Sequence, residues 1–260
     1  MSAFGMNAGD IFLVNNGSRG NILGQKLLRL KKSVNTTHIA LSLGEGVFIH
    51  ADKYCGVALV FFPQLINKSE GNWKVIRHVE VQGQFEELVK QSAIFHLEKT
   101  YNRGIILREN ENSLFCSQFA DVVFREIGIN IFNRKQGEAI ININNALPVD
   151  FESLLLERER WSDVSEIYIK NTEDNFIITN LERHFLMQKN LLTIARSQRL
   201  DHSALSSFTQ FMKASHESLP IDFQDENLDK MLSEDIKDLN DIESNLLYDF
   251  WDAKSKSRKK

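Results

Sequence analysis

Apolar positions in the first 150 residues fall into short runs and alternating stretches, with glycines between them. β-Branched and aromatic side chains dominate Asp10 to Val14, Ile39 to Leu43, Val47 to Ala51, Val57 to Phe62 and Val75 to Val81, which predicts strands there. Steps of three and four replace the alternation in Gly24 to Lys32, Phe85 to Glu98 and Phe115 to Ile127, which predicts helices. In the last of these Phe119, Val122, Val123 and Ile127 share one face, and Gly128 supplies a stop signal. Beyond about residue 180 the chain reads as helix without glycine. Leu181 to Leu200 and Ala204 to Ser215 are expected helices, the second ended by Pro220. Leu228, Leu232, Ile236, Leu239, Ile242, Leu246 and Phe250 then mark one long amphipathic helix that needs a partner surface. These patterns predict an α+β domain over residues 1–150 and a mostly helical extension over residues 151–260.

Composition narrows the possibilities without choosing among enzymes. The 260 residues are 42% hydrophobic and 25% charged with three prolines, which excludes a disordered or collagen-like chain. A net charge of −4 gives no global footprint for nucleic acid. The longest apolar run, Val57 to Phe62, is far short of the roughly 20 residues that cross a bilayer, so no transmembrane segment is expected. The first basic residue is Arg19, which does not fit a Sec-type signal peptide and implies a protein made in the cytoplasm. Two cysteines, Cys55 and Cys116, cannot staple a chain of this length, so a free thiol with chemistry of its own is the more informative reading. The cluster Lys26, Arg29, Lys31 and Lys32 reads as a solvated helix face, although it precedes a candidate site and can meet an anionic substrate or lipid headgroups. The basic stretch Lys254 to Lys260 is expected to fray.

The stretch from Thr37 to Ala51 carries the sharpest geometric constraint. Ile39, Leu41 and Leu43 alternate with His38, Ala40 and Ser42, and Val47, Ile49 and Ala51 alternate with Phe48 and His50. A three-residue loop at Gly44 to Gly46 would set Leu43 opposite Val47 and Ala40 opposite His50. Both histidines then lie on one face, diagonal to each other at a Cβ separation of roughly 7 Å or less. A slip of one residue would bury a histidine among the leucines. Two satisfied histidines on a half-exposed hairpin would meet the same constraint, so a third element has to decide.

Cys116 supplies it. This residue falls at the predicted start of a helix, after the polar loop Arg108 to Ser113, where the positive helix end is expected to favour thiolate and lower its pKa. Backbone N–H groups at such an end can also hold a developing oxyanion. A nucleophilic cysteine needs a base within hydrogen-bond reach and a group that orients the base, and His38 and His50 are of those types.

The motifs in sum resemble the NlpC-type, papain-like cysteine hydrolase superfamily. Gly9-Asp10-Ile11-Phe12, His38 to Gly46 and Phe48 to Ala51 match its Gly-Asp strand, its His-led strand ending in Gly-x-Gly and its Ile-His-Ala strand. Here Phe115-Cys116-Ser117-Gln118-Phe119 follows the histidines instead of preceding them, which is similar to the circularly permuted branch that includes YiiX-like bacterial proteins and lecithin:retinol acyltransferase-like enzymes. The match spans about residues 6 to 150. It implies an antiparallel sheet packed on a cysteine-bearing helix, with Cys116 as nucleophile, His38 as general base and His50 as the group that orients it. Tyr101-Asn102 resembles the tyrosine segment before the cysteine, so Tyr101, with Ser117 and Gln118, is implied to line the substrate site. Gln118 stands where many relatives have glycine, and His50 where YiiX-like proteins often carry an acid.

The expected function is a thiol peptidase that cleaves an amide bond through a thioacyl-enzyme, with peptides or peptidoglycan stem peptides as substrate. An acyl hydrolase or acyltransferase acting on lipids, and a non-catalytic binding module, are the alternatives. A zinc site of His38, His50 and Cys116 lacks a fourth ligand at a recognisable spacing, so no metal and no cofactor is expected. With no Sec signal, the expected setting is a bacterial effector or toxin delivered by a dedicated secretion machine, its C-terminal helices binding a protein partner. Cys55 is expected to be structural or incidental.

Overall fold

A computed structural model describes residues 3–15, 17, 19–30, 34–67, 69, 72–103, 112–132 and 145–251. Lys31, Lys32, the loop residues 108–111 and the basic stretch Lys254 to Lys260 lie outside them. The chain is α+β. Strands β1 (Ala8–Val14), β2 (His38–Gly44), β3 (Val47–Asp52), β4 (Gly56–Phe61), β5 (Trp73–His78) and a further strand at Trp161–Asp163 form one antiparallel sheet. Its spatial order is β4-β3-β2-β1-β5 and then the strand at Trp161–Asp163. Helix α1 (Arg19–Arg29) links β1 to β2, and the short helix α2 (Phe62–Asn67) follows β4 without a break. Helix α3 (Gln84–Phe95) packs on β1 and β2.

Two-residue strands β6 (Thr100–Tyr101) and β7 (Ser113–Leu114) pair in parallel, so the latter strand of the sheet is β8 (Trp161–Asp163) in chain order. Helix α4 (Cys116–Glu126) begins two residues after β7 and packs on β2, β3 and α3. Helices α5 (Pro148–Glu152) and α6 (Ser165–Glu173) complete this part. Beyond them α7 (Asn175–Glu217) runs unbroken for 43 residues where two helices were expected, because Asp201-His202-Ser203 contains neither proline nor glycine to interrupt it. Helix α8 (Glu226–Ser244) starts at Asp225, whose side chain accepts from the Asn227 and Leu228 amides, and stops short of the expected Phe250.

The chain divides into two compact units, Met1–Gln188 with Trp251–Lys260, and Lys189–Phe250. In the first, the strands bury side chains on both faces. Phe12, Phe48, Phe62, Trp73 and Tyr168 form an aromatic cluster with ring centroids 5.0 to 6.0 Å apart, while Ile11, Ile39, Leu41, Ile49 and Ile76 are fully buried.

An ion pair ties the first strand to this cluster. Both carboxylate oxygens of the fully buried Asp10 receive an Arg77 nitrogen, at 2.6 and 2.7 Å, and one also receives the Tyr168 hydroxyl at 2.6 Å. Burial pushes the Asp10 carboxyl above its ordinary value, against the hydrogen bonds and charge of Arg77. A buried charge tolerates this only because each oxygen is hydrogen-bonded.

Candidate active site

The hairpin β2–β3 sets the two histidines. Leu41 pairs with Ile49 and Ser42 with Phe48, the register in which Ala40 faces His50. The turn itself differs from the expected three-residue loop. Gly44 pairs with Val47 across a bulge at Leu43, leaving a two-residue turn of Glu45 and Gly46, both at positive φ (48° and 75°). The bulge absorbs the odd residue, so the register beyond it is unchanged. Glu45 tolerates this backbone because its amide donates to the Met6 carbonyl at 3.0 Å, which holds the turn against the N-terminal segment.

As that register requires, His38 Nε2 lies 2.8 Å from His50 Nδ1, with the rings nearly perpendicular. One of the two nitrogens carries the proton and the other accepts it. If His38 donates through Nε2, its Nδ1 is left with the lone pair of a base. His50 is buried, whereas His38, the first residue of β2, is partly exposed.

Three local devices position Cys116 at the tip of α4. Phe115 is extended (φ −96°, ψ 169°), and its carbonyl opens the helix by accepting from the Phe119 amide at 2.9 Å. The Gln118 Oε1 accepts from the Phe115 amide and from Asn102 Nδ2, each at 3.2 Å. Ser117 Oγ donates to the Ala146 carbonyl at 2.7 Å. Ser117 and Gln118, expected to line a substrate site, are thus buried and their polar atoms anchor the helix that carries the cysteine.

The Cys116 sulfur meets backbone amides of Ile39, Ser117 and its own residue, which favour the thiolate. Ile39 directly follows His38, so the thiol rests against the strand that bears the proposed base. The expected lowering of its pKa is nevertheless reversed. Burial pushes the thiol up to about 11, because removing a thiolate from water outweighs the favourable amides.

Tyr101 is brought to the same place by the pairing of Tyr101 with Leu114, two residues before the cysteine. It packs against a cluster of Val34, Phe115, Leu147 and Val149. Burial, with the Cys116 and Asp52 charges adding to it, raises its pKa, so the phenol keeps its proton. Asp52 is the residue the sequence pattern did not single out. It ends β3, two residues beyond His50, and its charge acts on both Cys116 and Tyr101. The two-residue step along β3 from His50 is the signal that would have found it. Its Oδ1 also accepts from the Tyr54 amide at 2.9 Å, which shapes the turn into β4.

The elements around the site are pinned closely. A Cβ at Gly56 would stand 2.2 Å from the Lys99 carbonyl, and that carbonyl accepts from the Val57 amide at 2.8 Å, so only glycine lets the Tyr101 segment lie on β4. Cys55 is exposed in the neighbouring turn, with its thiol 3.9 Å from Asp52 Oδ1. Among the described residues no group of three or more histidine, cysteine or acidic side chains is arranged to hold a metal ion.

Neither models of protein families nor curated proteins match this chain. Among solved structures it is weakly similar to the metalloprotein YiiX from Escherichia coli O157:H7, at 17% identity and a TM-score of 0.42, over 59% of this chain and 82% of that one. No helix among the described residues is long and apolar enough to cross a membrane.

Proposed function

We propose that the chain is a cysteine-dependent hydrolase on a circularly permuted papain-like scaffold, cleaving an amide bond through a thioacyl-enzyme. The observation that carries this reading is the His38–His50 hydrogen bond of 2.8 Å on the strand whose next amide, that of Ile39, meets the Cys116 sulfur. This reading takes the base from β2, its orienting partner from β3 and the nucleophile from the tip of α4.

Because the buried thiol is neutral at rest, attack is coupled to proton transfer. His38 accepts the Cys116 proton as sulfur bonds to the substrate carbonyl carbon, and the carbonyl oxygen takes up the negative charge beside the amides at the start of α4. Collapse of this adduct breaks the C–N bond, and the proton held by His38 goes to the leaving amine. Water, deprotonated by His38, then attacks the thioester and releases the acid with the thiol restored. His50 keeps the His38 ring and tautomer in place throughout. Peptides, with peptidoglycan stem peptides foremost, are the substrate class of this reading, and an effector or toxin role its setting.

The test is labelling of the full chain with a peptidyl acyl electrophile, followed by mass spectrometry of the adduct, together with incubation against muropeptides and phospholipids. Cys116→Ala is expected to lose labelling and turnover while keeping its circular dichroism. Undiminished turnover in that variant, or products from phospholipid alone, would overturn the assignment to an amide hydrolase.

A further inference from the structure

A cavity of about 480 Å³ lies where β1 ends and β5 begins, and neither Cys116 nor the two histidines line it. Backbone and ion-pair contacts hold its walls. The Asn15 amide donates to the Asn72 carbonyl at 3.1 Å, which closes the strand ends. Glu152, the last residue of α5, accepts through Oε1 from the Asn35 amide at 2.8 Å. Arg29, expected on a solvated face, is instead paired with Asp150 at 2.9 Å and also donates to the Asn145 carbonyl, so α5 is fastened to α1. Gln25 is buried, donating to the Thr36 carbonyl at 3.2 Å and accepting from the Val149 amide at 2.8 Å. The segment Asn35-Thr36 is therefore clamped from α1 and from α5 before β2 starts.

Side chains with unused hydrogen-bonding capacity line this space. Thr36 is 4% exposed, yet its hydroxyl has no hydrogen-bond partner among the described residues. Buried hydroxyls are normally paired, so one left open on a cavity wall points to a ligand that completes it. The Asn35 and Asn72 carboxamides have no partner among those residues either. Asn15 accepts through Oδ1 from the Gly17 amide at 3.0 Å, which leaves its NH2 group to donate. Trp73 is half-buried with its ring stacked on Phe12 at 5.3 Å and 24°, so the indole is fixed where it borders the cavity.

The chemistry of this set narrows the ligand. Lys74 and Glu152 both line the space, so their charges offset; one lysine makes a poor phosphate site and one carboxylate a poor cation site. Leu13 and Leu155 supply too little apolar wall to hold an acyl chain. Carboxamides and a hydroxyl both donate and accept, which is what the hydroxyl groups of a ligand also do. A ring that carries several hydroxyls has, in addition, a C–H face that suits the negative face of an aromatic side chain.

We infer that this cavity binds a neutral pyranose sugar. The Asn35 and Asn72 carboxamides and the Thr36 hydroxyl pair with its hydroxyl groups, and Trp73 borders its ring. Thr36 stands two residues before His38, so the sugar sits at the root of β2. Its binding does not depend on the chemistry of the thiol.

The experiment is calorimetric titration of the full chain with the methyl pyranosides of glucose, galactose and mannose and with N-acetylglucosamine, with tryptophan fluorescence followed in parallel. Trp161 and Trp251 are buried, so Trp73 is the indole that acrylamide reaches. At least one of the four sugars is expected to bind in the millimolar range and to shield Trp73 from quenching. Asn35→Ala with Asn72→Ala, both at exposed residues, is expected to weaken that sugar by about tenfold or more with unchanged circular dichroism. Thr36→Val keeps the shape of the side chain without its hydroxyl, and is expected to weaken the same sugar while leaving the urea midpoint in place. Cys116→Ala is expected to bind as wild type does, which separates this inference from the proposed catalysis. No binding by any of the four sugars, equal binding by the asparagine variant, or binding of a free amino acid such as alanine in place of the sugars would overturn it.

Discussion

The two compact units are stabilised by different physics. In Met1–Gln188 the sheet and α4 bury Phe12, Phe48, Phe62, Phe119 and Phe124 almost completely, and Asp10 is paired inside that core. In Lys189–Phe250 helices bury Leu192, Leu232 and Leu239 but leave Ile194, Leu205, Phe208, Phe211 and Met231 exposed. Polar links are prominent there: His202 Nε2 lies 2.7 Å from the Leu239 carbonyl and Lys213 donates to Ser233 at 2.8 Å, both between α7 and α8, and Arg199 lies 3.0 Å from Asp249 beyond α8. Packing therefore specifies the first unit, whereas helix propensity and partly buried polar contacts contribute more to the second. Cys116 and the two histidines belong to the tightly packed unit, where their geometry can be held to fractions of an ångström.

Substitutions should expose the contrast, beginning with the charge in the core. Asp10→Ala leaves Arg77 without its buried partner and is expected to cost about 3–5 kcal/mol in urea unfolding; Asp10→Ala and Arg77→Leu together should cost less. Next, Phe119→Ala should cost about 3–4 kcal/mol and Leu239→Ala about 2 kcal/mol, because the aromatic ring leaves the larger cavity. Equal losses would mean that the helical unit is as well packed as the sheet.

Cys116 titration gives a comparable but conditional effect. Below its ordinary value of 9.0 the thiol is protonated folded or unfolded; from there to about 11 the unfolded chain releases the proton while the folded one retains it. Stability should thus fall as pH rises through this window, by about 2–3 kcal/mol, and Cys116→Ser should abolish that component of the alkaline loss. The smallest effect is expected at Phe208→Ser, on the exposed face of α7, within about 0.5 kcal/mol in the same unfolding assay.

Much of this arrangement was legible in the chain. Alternation fixed the faces of β2 and β3, because only one register buries Ile39, Leu41 and Ile49 together, and the start of α4 was visible in its three- and four-residue steps. Short elements such as α2 and β8 were not, since six- and three-residue segments make little periodicity before packing selects them. The direction of the Cys116 shift was misjudged for a related reason. A helix tip can be inferred from local sequence, but the depth at which the surrounding chain buries it cannot. The same holds for Arg29, whose partner Asp150 is 121 residues away.

The 2.8 Å contact between His38 and His50 also limits how many protons the pair can hold. Loading both rings with protons would aim two N–H bonds at each other across a gap that fits one hydrogen. The hairpin thus holds its two imidazoles in register around a single shared proton.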